Sequence, residues 1–180
     1  MKKTSQGFTL VELLVVIAII AVLAAVVVVI VNPVELTKRS RDAVRMSDLA
    51  TIAQAVNLVV QETTTSVAPP SDWTTFYCVG GITAPATTCS DNSKDGTRAN
   101  NGTGWVKIDL TTQTTVNLPT LPIDPTNDIV SGLVYQYIAN ATGYELTAKF
   151  ESAQYASKMT GDGGSGSNAG LYQIGSNIGL

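Results

Sequence analysis

From Phe8 to Val31 every position is apolar except Thr9 and Glu12. As a helix this run spans about 36 Å at 1.5 Å per residue, enough to cross a bilayer with some tilt. It has no polar face, so it needs lipid or other helices around its whole circumference. The pattern then changes. Leu49, Ile52, Ala53, Val56 and Val60 recur at three- and four-residue intervals, which predicts an amphipathic helix continuing to about Glu62. Asn32-Pro33 separates the two patterns. Proline lacks a backbone donor and crowds the preceding turn, and Asn32-Pro33-Val34-Glu35 reads as an N-cap with an acid at the third helical position. Both readings predict a break or bend at Pro33. Glu35, Lys38, Arg39, Arg41, Asp42, Arg45 and Asp48 form a mixed-charge collar between the stretches. It is expected to be a solvated helical face with local pairs such as Arg45–Asp48 or Glu35–Arg39, or to bridge neighbouring molecules or anionic headgroups.

From Thr63 the chain turns polar, and Pro69-Pro70 ends any helix. Three segments then alternate. Trp105–Leu110 predicts a strand. "LVYQYIA" puts Leu133, Tyr135 and Tyr137 on one face, and "YELTAKFE" does the same for Tyr144, Leu146, Ala148 and Phe150. Asn140-Ala141-Thr142-Gly143 joins the last two as an antiparallel hairpin. "LPTLPIDPTND" is too rich in proline for a strand and reads as a loop. The aromatic sheet face is expected to pack on the Leu49–Val60 stripe. The fold class is therefore α+β, a long N-terminal helix against a small antiparallel sheet.

Composition narrows the chemistry. The chain has 180 residues, a formal charge of −3 and no histidine, so the commonest general base and metal ligand is missing. No nucleophile–base pair or phosphate loop is evident, and no enzymatic activity is expected. An acidic total argues against nucleic acid as a partner; contact with DNA needs a local basic patch such as Lys94, Arg98 and Lys107. Lys2 and Lys3 precede the apolar run, so the positive-inside rule keeps them cytoplasmic and exports everything after Val31. The run is longer than the apolar region of a secretory signal. Glu12 is then the anomaly, because an acid in a membrane helix costs roughly 2.5–3.5 kcal/mol on insertion scales and needs a partner.

The stretch Gly7-Phe8-Thr9-Leu10-Val11-Glu12, behind a basic leader and ahead of an aliphatic run, resembles the processing site of type IV pilins and of the pseudopilins of type II secretion. The resemblance covers about Lys2 to Ile30. It implies cleavage after Gly7 by a prepilin peptidase and N-methylation of Phe8. It also implies pairing of Glu12 with the Phe8 amine of a neighbouring subunit as the chain polymerises into a helical filament on an inner-membrane assembly platform. Pairing cancels two charges that are each costly in lipid. The expected divisions are a leader, 1–7; a membrane and assembly half-helix, 8–31; an amphipathic half, 32–62; a polar loop, 63–104; and a sheet-bearing head with a C-terminal loop, 105–180. The precursor is expected as a single-pass protein of the inner membrane and the polymer as an extracellular filament, of the kind used in adhesion and motility. Three readings follow: the major pilin of a type IV pilus; a pseudopilin of a secretion or competence-type machine; and a membrane-anchored binding domain that never polymerises. Pro122-Ile123-Asp124-Pro125 ahead of Tyr135-Gln136-Tyr137 also resembles the major pseudopilin.

Three smaller motifs remain. Cys78 and Cys89 in an exported domain predict a disulfide, contributing about 3 kcal/mol by loop closure. The tail "MTGDGGSGSNAGLYQIGSN" reads as a Gly/Ser-rich surface loop. Alternatively, Asp162, Ser165, Ser167 and Asn168 offer the oxygen ligands that calcium prefers, as a comparable C-terminal loop does in major pseudopilins, with Asp128 or Glu151 as a second carboxylate. No other cofactor is expected. Asn101-Gly102-Thr103 and Asn140-Ala141-Thr142 fit the N-glycosylation triplet, which arises often by chance in a Thr/Asn-rich chain; both are expected to be unmodified loop.

Overall fold

A capping box starts the first helix, and a left-handed asparagine ends it. The computed structural model describes residues 7–62, 77–78, 98–112, 118–128, 130–140, 142–164 and 170–178. Helix α1 runs Leu10–Val31, with Thr9 as N-cap. Asn32, at φ 42° and ψ 76°, closes it. Asparagine tolerates this conformation better than other non-glycine residues. Helix α2, Pro33–Glu62, begins at once. Asn32 serves it too, because Oδ1 accepts from Glu35 N at 3.4 Å and its carbonyl accepts from Leu36 N at 3.2 Å. Proline at the first helical position has no N–H to leave unsatisfied. The expected break at Pro33 is therefore present, one residue early, at Asn32.

The chain forms two compact units, Met1–Thr37 and Lys38–Leu180. In the first, every residue of α1 is exposed. In the second, α2 buries Asp42, Arg45, Leu49, Ile52, Ala53, Ala55, Val56 and Val59. The stripe thus ends at Val59, and Val60 is partly exposed, because the helix period carries the buried face one residue short of the regular spacing.

The sheet is antiparallel with the order β1-β2-β3-β4: Tyr77–Cys78, Gln136–Asn140, Gly143–Ala148 and Tyr172–Gly175. The expected hairpin is β2–β3, with Asn140 opposite Gly143. Asn140 Oδ1 fixes its turn by accepting from Thr142 N at 2.8 Å, Thr142 Oγ1 at 2.7 Å and Gly143 N at 3.0 Å. Cross-strand rows put Tyr137, Leu146 and Ile174 on one face with Ala139 and Tyr144. These residues share one apolar core with the α2 stripe, Trp105, Val106, Leu110 and Leu121. Two tyrosine hydroxyls tie sheet to helix. Tyr135 donates to Asp48 Oδ2 at 2.8 Å, and the Tyr144 hydroxyl lies 3.0 Å from the Ala53 carbonyl and 2.9 Å from Asn57 Oδ1. Burial pushes the Tyr144 phenol up to about 12.

Two expectations are corrected. Trp105–Leu110 is no strand. Trp105 and Val106 are both buried, which breaks the period of two, and the segment makes only an isolated bridge between Asn101 and Asp109. Side-chain turns at those two residues fold it on itself: Thr103 donates to Asn101 Oδ1 and Thr111 to Asp109 Oδ1, each through N–H and Oγ1–H. Nor is the tail wholly loop, because Tyr172–Gly175 adds β4 to the sheet after two one-turn helices, α3 (Ala153–Ala156) and α4 (Lys158–Gly161). Gly175 permits this pairing, since a Cβ there would overlap the Tyr144 carbonyl oxygen.

Gly175→Ala is therefore expected to cost about 1–3 kcal/mol of stability by forcing β4 away from β3. Gly161→Ala, which meets open space, is the control. Denaturant unfolding checks both, and equal stability for the two variants contradicts this account of β4.

Candidate functional site

Two constellations stand out, one in each unit. The first opens α1. Gly7 is bare, with nothing within 4 Å of where a Cβ would stand, and Phe8 is 87% exposed. Glu12 Oε2 accepts from Thr9 N at 2.8 Å and from Thr9 Oγ1 at 2.7 Å. Glu12 N in turn donates to Thr9 Oγ1 at 3.3 Å. This reciprocal cap satisfies donors that a helix start otherwise leaves open. It also turns the carboxylate back toward the start of the helix, to the Thr9 N–H that follows Phe8. The helix it caps is long and apolar enough to cross a membrane. One acid is thus held at the head of a fully apolar surface.

The second constellation is ionic and buried. Arg45 is wholly inaccessible. Its Nε and Nη2 donate to the two oxygens of Asp124 at 2.6 and 2.9 Å, and Nη2 also reaches Thr126 Oγ1 at 3.1 Å. Nη1 donates to Asp42 Oδ1 and Glu151 Oε2, both at 2.8 Å. Arg41 grips Glu151 with two bonds, at 2.7 and 3.0 Å. Two guanidiniums therefore face three carboxylates, and backbone donors stabilise the excess negative charge. Asp42 accepts from Glu151 N, Ser152 N and Ser152 Oγ, and Asp124 accepts from Thr126 N and Asn127 N.

Titration follows this geometry. The Arg41 hydrogen bond, reinforced by Arg45, holds the Glu151 carboxyl down at about 2 against the opposing effect of burial. Burial alone would lower the Arg45 guanidinium, but its carboxylate partners outweigh it and raise it. Burial is also the main cause that raises Asp48, which the Tyr135 hydrogen bond opposes.

The charged collar is therefore neither a solvated face nor free to bridge neighbours where Arg41, Asp42 and Arg45 are concerned. Arg45 pairs with Asp42 in place of Asp48, which receives Tyr135. The sequence did hold a signal for this. Stepping back from Leu49 by four and then three residues lands on Arg45 and Asp42, so the apolar stripe continues into charge.

The remaining candidates are scattered. Both oxygens of Asp162 accept backbone N–H groups, from Gly164 at 3.0 Å and Gln173 at 2.7 Å, which makes it a turn cap. Ser165, Ser167 and Asn168 lie outside the described residues, and among the described residues no group of three or more metal-ligating side chains gathers. Glu151 is committed to the arginines, and Asp128 caps its own turn through Val130 N and Ser131 Oγ. Cys78 sits in β1, whereas Cys89 falls outside the described residues. Lys94 does as well, and Arg98 binds the Leu121 carbonyl at 2.8 Å. The two glycosylation triplets are side-chain-capped turns.

Acid titration tests the ionic centre. A carboxyl depressed in the folded state adds stability that is complete above its unfolded value and is lost as pH falls through the folded one. Melting temperature is thus expected to drop between about pH 4.5 and about pH 2, and Glu151→Gln to flatten that drop. Identical slopes for the two proteins contradict it. Arg45→Ala strands buried carboxylates and is expected to cost about 3–5 kcal/mol by denaturant unfolding.

Comparison with known proteins bears on the first constellation. No curated protein and no solved structure matches the chain. Residues 2–28 match the family described as the prokaryotic N-terminal methylation motif. Gly7, Phe8, Thr9 and Glu12 all fall within that match. The chain thus carries the prepilin signal shared by type IV pilins and pseudopilins.

Proposed function

We propose that this protein is the structural subunit, the major pilin, of a type IV pilus. In this reading a prepilin peptidase cuts after Gly7, Phe8 is methylated, and α1 carries the subunit from the inner membrane into a helical filament. The observation that carries it is the capped Glu12 at the start of an exposed, entirely apolar helix. Within a single chain, among the described residues, the carboxylate is held by Thr9. A neighbour's Phe8 amine supplies the opposite charge, and neighbouring helices replace lipid around the apolar surface, an exchange of one apolar environment for another that leaves the charge pairing to select the register. An unpaired charge in hydrocarbon is costly, so only the register that pairs it is favoured. Cys78 and Cys89 are assigned to a bridge that fastens the polar loop of the exported head.

Intact mass in two cell fractions tests this. A mass matching Phe8–Leu180 plus one methyl in material sheared from the cell surface supports the pilus. The same mass confined to the membrane fraction supports a pseudopilin instead, and uncut Met1 in both leaves a simple anchor. Gly7→Val is expected to abolish processing, and Glu12→Ala to leave a folded subunit that yields no filaments by electron microscopy; abundant filaments from the latter refute the pairing.

A further inference from the structure

We infer that the Arg45 cluster is a mechanical clamp that stops α2 from being drawn out of the head under axial load; the inference rests on the reading that α1 anchors the subunit in a filament. Such a filament holds each subunit by α1, so tension reaches the head along one covalent path, through α2. Among the described residues Asp42 is the first buried one on that path, and it and Arg41 both bond across to the segment after β3. Arg45 follows one turn later.

Two kinds of contact resist a pull along the helix axis. The Leu49–Val59 stripe is apolar and non-directional. A helix sliding lengthwise trades one such contact for another. The ionic bonds behave differently because they are short and directional. At 2.6–2.9 Å, a slip of one helical turn, about 5.4 Å, carries donor and acceptor beyond hydrogen-bond range whatever the direction of the bond. It also strands charges away from water, which is the most unfavourable outcome open to them. The bonds also fan out. Asp124 lies in the loop before β2, and Glu151 and Ser152 lie after β3, so α2 is fastened to both flanks of the hairpin and not to one strand alone. Asp42 adds three bonds to the segment after β3, from Glu151 N, Ser152 N and Ser152 Oγ. The cluster therefore sits near where load enters, is broken by a slip that apolar contacts tolerate, and divides the load between two segments. Apolar packing supplies most of the head's stability, and the clamp sets how fast the head yields when pulled.

The test uses the full chain in detergent micelles, held by handles at its two ends in an optical trap. The variant Arg45→Met/Asp124→Asn removes the central pair without leaving Asp124 charged, and it retains Arg41–Glu151. Its rupture rate at fixed load is expected to rise at least about tenfold, equivalent to about 1.4 kcal/mol of barrier. Its unfolding rate in denaturant without load is expected to rise by a clearly smaller factor. A rupture rate that is unchanged, or that rises only by the no-load factor, overturns the clamp and leaves the cluster a plain stability element. If the double variant does not fold, Glu151→Gln takes its place. It loosens Arg41 and Arg45 together while Asp124 and Asp42 still hold Arg45, and the same comparison of loaded and unloaded rates decides. The trap experiment needs no polymer, so an outcome against the clamp is distinct from an absence of filaments.

Discussion

A single guanidinium, that of Arg45, organises the second unit. Burying it without partners would be prohibitive, so the fold must deliver Asp124 and Glu151 to it from positions 79 and 106 residues away along the chain. That requirement fixes three segments at once: the helix turn carrying Asp42 and Arg45, the proline-rich loop before β2, and the turn that leaves β3. Hydrophobic burial supplies most of the driving force for folding, but it is tolerant of register. The charge network is not. Buried ion pairs are weak evidence for stability and better evidence for specificity in systems where that has been tested, and here the bonds run from α2 to the loop before β2 and to the turn after β3.

The sheet shows the same division of labour. Tyr137, Leu146 and Ile174 pack as apolar bulk, while the hydroxyls of Tyr135 and Tyr144 end on α2. On the opposite face Gln136, Thr147 and Gln173 form a cross-strand row, with Thr147 donating to Gln136 at 3.0 Å. Short polar side chains do similar work in the loops. Asn101, Asp109, Asp128 and Asn140 each cap a turn within two or three residues of themselves, which lets long irregular stretches hold one shape without regular structure.

Much of this was legible beforehand where a period governs. The apolar run, the break at Asn32-Pro33, the α2 stripe and the β2–β3 hairpin all follow from spacing. What was not legible depends on contacts distant in sequence. Arg45 and Asp42 read as a solvated collar because pattern rules place charge outside, and nothing local reveals that Asp124 and Glu151 come to meet them. The segment from Trp105 alternates as a strand does, but the turn-capping Asn101 and Asp109 fold it on itself. Strand β4 was hidden by the glycines around it, one of which, Gly175, is what lets the backbones approach. At the N-terminus the opposite holds. Glu12 is an obvious exception in its own sequence, and the structure adds the partner, Thr9, that holds it in the single chain.

The central claim is that this acid is meant for a second subunit. It can be tested by mixing light and heavy isotope-labelled subunits, allowing filaments to form, and treating them with an apolar carbodiimide. This reagent joins a carboxylate to an amine in direct contact and adds no spacer. Peptide mass spectrometry should then find an amide between Glu12 and the Phe8 nitrogen, with light Glu12 joined to heavy Phe8 and the reverse. Linked peptides carrying only one label, or filaments in which Glu12 is never joined to Phe8, contradict the account.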